Sequence, residues 1–231
     1  MRLLNHVEGE TEETFTNELL RPHLIAAGYH SVAARLLGNA RLRVNRGGVR
    51  SWTTVKRDII NHLRQDEGAI ATTMVDFYGL PSVGTEAWPG RAAAAFAPHR
   101  QKPLMVEEAM RASIDAEMGS GFNRCRFVPF VVMHEFEGLL FSETTELAAM
   151  VGRPALAAPL RAIRDAFATP EEIDDSPQTA PSKRILSLVP GYQKPLHGNL
   201  AALQIGLPRI RHECPHFHDW LTRLEAAPGT C

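Results

Sequence analysis

Hydrophobic spacing changes period repeatedly along the first 140 residues. Residues 2–7 (RLLNHV) form a short, mostly apolar run that meets Glu8-Gly9, the pattern of a strand delivered into a tight turn. Phe15, Leu19, Leu20, Leu24 and Ile25 then follow at helical spacing, with Gly28 as the stop and Pro22 as a kink or restart. Residues 31–37 (SVAARLL) predict a second strand. Ser51 is placed to cap a helix over 52–65, with Trp52, Val55, Ile59 and Leu63 on one face. AIATTMVDF is apolar and β-branched up to Asp76 and predicts a buried strand. From Leu80 to Pro103 the chain is rich in Gly, Pro and Ala and carries little periodic information.

VEEAMRASIDAEM predicts a helix, RFVPFVVM (126–133) a third strand, and HEFEGLLF follows at once. Beyond residue 142 the pattern is helical. Thr169-Pro170-Glu171-Glu172 has the capping-box form with proline at the first helical position. Residues 215–224 predict a terminal amphipathic helix with Phe217, Trp220, Leu221 and Leu224 inward, and AAPGT a frayed tail. No internal repeat is present. Alternating strand and helix imply an α/β fold with a mainly parallel sheet, helices on both faces and a helical C-terminal part. The expected organisation is a core over 1–142 with an extension over 143–231 packed on it, a single domain overall.

Composition narrows the class. Hydrophobic residues at 44% and charged residues at 22% exclude collagen-like, coiled-coil and disordered chains. A formal net charge of −1 argues against a protein that coats nucleic acid by bulk positive charge. Three scattered cysteines do not make a disulfide framework and suit a reducing compartment. With no secretory leader at MRLLNHVEGE and no long apolar run, a cytoplasmic protein without a membrane span is expected.

Acidic groups stand directly after the three predicted strands: Glu8, Asp76, and the Glu135/Glu137 pair. Open parallel sheets build sites at the carboxyl ends of their strands. Carboxylates converging there repel unless a hard cation such as Mg²⁺ or Mn²⁺ neutralises them, and phosphate-ester hydrolysis is the reaction that suits such a site. Glu10, Glu12 and Glu13 are read instead as first-turn residues that complement a helix dipole. His134, beside Glu135, is a candidate general base or metal ligand. Arg46, Gly47, Gly48 and Arg50 ahead of a helix, with Lys56, form a candidate phosphate-binding segment, the alternative being a solvated loop. Trp52 reads as core. The spacing of His212, Cys214, His216 and His218 argues against zinc, since no second ligand pair lies elsewhere. Lys183 and Arg184 in TAPSKRIL are candidates for neutralising phosphate charge; pairing of Lys183 with Asp174 or Asp175 is the alternative.

VEGETEETF resembles the opening glutamate motif of Toprim domains, especially in OLD-family nucleases, with Glu8 at the catalytic glutamate. VDFYG occupies the place of the Toprim Asp-x-Asp motif: Asp76 matches the first aspartate, but Tyr78 stands where the second belongs. Glu135 and Glu137 resemble a later acidic pair, and Lys183 a late lysine, of OLD-type sites. Over nearly its whole length the chain also resembles an uncharacterised prokaryotic family, domain of unknown function 4276. The blocks are VEGETEETF, RGGVRSWTTVKRDI, VDFYGLPS, FVPFVVMHEFEGLLF, TAPSKRI and IGLPRIRHECPHFHDWL.

The Toprim resemblance implies a Mg²⁺- or Mn²⁺-dependent nuclease or phosphoesterase acting on nucleic acid, chiefly DNA. It also implies an ABC- or OLD-type ATPase as partner in phage defence. The missing second aspartate leaves a second expectation, a non-catalytic Toprim-shaped subunit that docks on such an ATPase.

Overall fold

A computed structural model describes residues 1–37, 50–173 and 178–231. Its contacts divide into two compact units, Met1–Val131 with Thr222–Cys231, and Val132–Leu221.

In the first unit, β1 (Arg2–Val7) lies between β2 (Ser31–Leu36) and β3 (Ala69–Asp76), parallel to both. β4 (Phe127–Val128) runs parallel to the far side of β3, giving the order β2-β1-β3-β4, and β5 (Val131–Val132) also pairs with β3. Every residue of β3 is buried, which explains its unbroken apolar run: a strand covered on both faces has no solvent side to alternate with. The single strand expected over 126–133 is two short ones. Pro129 has no N–H to give a ladder. Side chains of β3 take over: Thr72 Oγ1 donates to the Val128 carbonyl, and Thr73 Oγ1 donates to the Phe130 carbonyl and accepts its N–H, both at 3.0 Å.

Polar residues inside β1 are likewise satisfied. Asn5 Nδ2 donates to Thr16 Oγ1 at 2.8 Å. His6 Nδ1 donates to the Thr72 carbonyl at 3.1 Å, so its Nε2 must accept from His62 Nδ1 at 2.9 Å. Burial, with His62 and Arg35 adding repulsion, pushes the His6 imidazole down to about 3 and keeps it neutral.

After β1 come α1 (Glu10–Phe15), one π-helical turn (Thr16–Leu20) and α2 (Arg21–Ala26). The π turn is the answer to Pro22, which would clash in a continuous α-helix: the Arg21 N–H reaches back five residues to the Thr16 carbonyl. Gly28, at φ 108, ends the run. α3 (Trp52–Gln65) starts where expected, Ser51 Oγ accepting the Thr54 N–H.

The aperiodic stretch holds α4 (Arg91–Ala94) and leads to α5 (Lys102–Met118). Gly90 adopts φ 75, and a Cβ there would sit 2.7 Å from the Met105 carbonyl oxygen and 3.0 Å from Ala109 Cβ. Gly90→Ala therefore combines left-handed strain with a backbone clash. Its expected cost is about 2–4 kcal/mol, read as a shift of the urea midpoint without a change in slope.

The second unit is helical: α6 (Glu137–Leu140), α7 (Thr144–Met150), α8 (Ala157–Asp165), α9 (Pro181–Leu188), α10 (Asn199–Glu213) and the start of α11 (Pro215–Thr230). The capping box expected at Thr169 is absent; Pro170–Glu172 makes only a 3₁₀ turn and the Thr169 side chain caps nothing. Glu171 instead accepts the His216 and Phe217 N–H groups at 3.0 and 2.9 Å, capping the first turn of α11.

The tail is not frayed. α11 continues to Thr230, and its last residues belong to the first unit. There Tyr29 Oη donates to the Leu224 carbonyl at 2.9 Å and His23 meets Glu225 at 2.7 Å. Cys231 is joined to Cys125 in a disulfide, a pair that the reading of three scattered cysteines as no disulfide framework did not anticipate. The helix carries Cys231 back to a residue 106 positions earlier, a contact that spacing does not reveal.

Candidate functional site

The order β2-β1-β3-β4 reverses direction between β1 and β3. In doubly wound sheets this switch point opens a crevice at the carboxyl edge, where ligands bind. Glu8 is the first residue past β1, and Asp76 is the last of β3. Val7 pairs with Met74, so Glu8 comes level with Val75, one residue short of Asp76. With strands ~4.8 Å apart and ~3.3 Å per residue, the two backbone positions are separated by roughly 6 Å. Glu8 is half-buried and Asp76 is 8% exposed. Glu12 serves the helix that follows, its Oε2 accepting the Gly9 N–H at 3.0 Å.

Two cations lie near Phe77, the residue that follows β3. The Arg91 guanidinium lies 4.0 Å over the Phe77 ring, and its Nε donates to the Phe77 carbonyl at 3.0 Å. Lys102 Nζ is 5.9 Å from the same ring centroid. The Arg91 N–H bonds the Trp88 carbonyl, while Trp88 Nε1 donates to the Arg50 carbonyl at 2.8 Å. Arg50, from the proposed phosphate segment, is thereby tied to the same loop. The Trp88 ring meets Trp52 at 5.2 Å, and Trp52 is buried as core.

Other predicted contacts are distributed differently. Arg46, Gly47 and Gly48 lie outside the described residues, as do Asp174 and Asp175. Lys56 pairs with Glu117 at 2.7 Å. Arg184 donates to the Thr179 carbonyl at 2.8 Å and lies 5.4 Å from the Phe167 ring centroid.

In the second unit, His134 is buried and holds φ 63, a left-handed conformation uncommon outside glycine. Glu135 Oε2 accepts the Ser182 N–H at 2.9 Å, in the first turn of α9. Glu137 is fully buried and pairs with Lys194 Nζ at 3.2 Å. Burial pushes the Glu137 carboxyl up, against the pull of Lys194. The Tyr192 phenol, stacked on His197, is pushed up by burial and by Glu137. Lys183 is exposed on α9. The lysine that meets Glu137 is Lys194, which the sequence reading did not single out. Cys214 is buried against Ser142 Oγ at 3.4 Å.

Among the described residues, no three His, Cys, Asp or Glu side chains gather as a ready-made metal site. A cage closed by protein ligands alone does not fit. Carboxylates are the donor type that Mg²⁺ takes, commonly one or two of them, while water and substrate oxygens complete its shell.

Fold and edge define a doubly wound α/β protein with Glu8 and Asp76 at the strand ends that flank its switch point, and with Arg91 and Lys102 near Phe77. The chain belongs to the family described as Domain of unknown function (DUF4276), whose model matches residues 7–225. No curated protein and no solved structure matches it. Among the described residues, no helix is long and apolar enough to cross a membrane.

Proposed function

We propose that the protein is a divalent-metal-dependent phosphoesterase of Toprim type, a nuclease acting on DNA. One observation carries this reading: Glu8, just past the end of β1, and Asp76, at the end of β3, flank the topological switch point between two adjacent parallel strands. These two residues would hold Mg²⁺ or Mn²⁺. A hard divalent cation supplies charge stabilisation at phosphoryl oxygens and activates water. Glu8 and Asp76 are suited to hold it because the β1–β3 register sets the spacing of the strand ends that carry them. The test is nicking of supercoiled plasmid by the purified chain in Mn²⁺ and in EDTA. Nicking in Mn²⁺ alone is the expected result; no nicking in either would count against a self-sufficient nuclease.

A second reading is a non-catalytic subunit that docks on an ABC- or OLD-type ATPase in phage defence. The observation favouring it is Tyr78, 42% exposed where a second aspartate would complete the acidic motif. Thermal denaturation separates the two. A cation at a hundred times its Kd stabilises the native state by about 2.7 kcal/mol, so Mn²⁺ raises the Tm in the first reading and leaves it unchanged in the second.

A further inference from the structure

Two carboxylates at a sheet edge repel an anionic substrate, so a phosphodiester needs cations at the same edge. Arg91 is built into that position from four sides. Gly90, where a side chain would strike the Met105 carbonyl, fixes the entry to α4. The Arg91 N–H bonds the Trp88 carbonyl, its Nε donates to the Phe77 carbonyl, and its guanidinium carbon lies 4.0 Å from the Phe77 ring centroid. Phe77 is the residue after Asp76. A surface arginine ordinarily samples many rotamers and loses that freedom when it binds; here the loss is already incurred in the unliganded fold. The planar guanidinium matches phosphate oxygens, and Lys102 adds a second charge near the same ring.

We infer that Arg91, supported by Lys102, contacts a backbone phosphate of nucleic acid beside Asp76. The inference rests on the phosphoesterase reading for its substrate class. A purely structural alternative exists, in which Arg91 only clips the loop between β3 and α4.

The test measures binding of a fluorescent oligothymidylate to the full chain in EDTA by anisotropy, across a series of KCl concentrations. One lost phosphate contact on a single strand lowers the log–log salt slope by about 0.7, or about fivefold in affinity near 0.1 M salt. Arg91→Met should show that loss with its Tm retained, and Arg91→Lys a partial one. Lys102→Met should show a loss of its own, which keeps the test intact if Arg91→Met folds poorly. Arg2→Met, at the start of β1 and hence at the opposite edge of the sheet, should bind like wild type.

Wild-type slopes in both Arg91→Met and Lys102→Met, equal losses in Arg2→Met, or no binding by wild type would overturn the inference. A Tm drop in Arg91→Met with an unchanged slope would assign it to the clip alone. If wild type binds with an Arg91-dependent slope yet never nicks plasmid in Mn²⁺, the contact stands and the nuclease reading fails.

Discussion

Glu8→Gln and Asp76→Asn are each expected to reduce Mn²⁺-dependent plasmid nicking by more than ~10²-fold, because changes outside the direct ligands of a metal already cost 10–100-fold. Both substitutions keep side-chain shape and remove one charge. Glu8 is half-buried at the strand end, so folding should be little affected, and circular dichroism with the melting temperature checks that. Glu10→Gln, on the exposed side of the first turn of α1, should nick like wild type. Retained nicking in both Glu8→Gln and Asp76→Asn would detach the activity from the switch point.

The largest expected effect on stability comes from Glu107 on α5. Its carboxylate is fully buried and accepts the Val131 N–H at 3.0 Å, with Arg223 at 3.5 Å and Arg111 at 3.8 Å. Arg223 lies in the stretch of α11 that belongs to the first unit, so this one side chain ties the end of the chain to α5 and β5. Glu107→Ala leaves two arginines facing each other and an N–H without its acceptor. Removing one member of a buried ion pair costs about 3–5 kcal/mol. At ~2–4 °C per kcal/mol for a chain of this size, the Tm should fall by about 10 °C. Glu107→Gln keeps the acceptor and should lose less. Glu108→Ala is the control, since its carboxylate is 76% exposed and surface ion pairs contribute about 0–1 kcal/mol. Equal Tm losses in Glu107→Ala and Glu108→Ala would contradict the buried network.

The strands were legible because burial imposes a period. β1, β2 and β3 lie where apolar and β-branched runs predicted them, with Glu8 just past β1 and Asp76 at the end of β3. Where the interior is satisfied by side chains, the pattern misled. The run at 126–133 looks like one strand because its residues are buried, yet Pro129 breaks the ladder and two threonine hydroxyls of β3 replace it. Thr169-Pro170-Glu171-Glu172 has the letters of a capping box, but Glu171 caps a helix 45 residues further on. Local motifs state which groups a residue can bond, not which partner tertiary structure brings.

The candidate site divides the same way. Arg91 sits in a stretch without period, so nothing local distinguished it. Its position follows from a glycine that only the fold requires and from a phenylalanine fourteen residues earlier. Lys183 drew attention as the lysine of TAPSKRIL, a helix start. The structure uses that start through the Ser182 N–H, which Glu135 takes, while Lys194 reaches Glu137. Cys125 and Cys231 were unreadable as a pair because α11 had first to be recognised as reaching Thr230.

Titration of Mn²⁺ into the metal-free chain by calorimetry tests the central claim, that Glu8 and Asp76 hold one cation at the switch point. The account predicts one binding event in wild type that is lost in both Glu8→Gln and Asp76→Asn and kept in Glu10→Gln. Wild type that takes up no Mn²⁺, or binding unchanged by both substitutions, would contradict it.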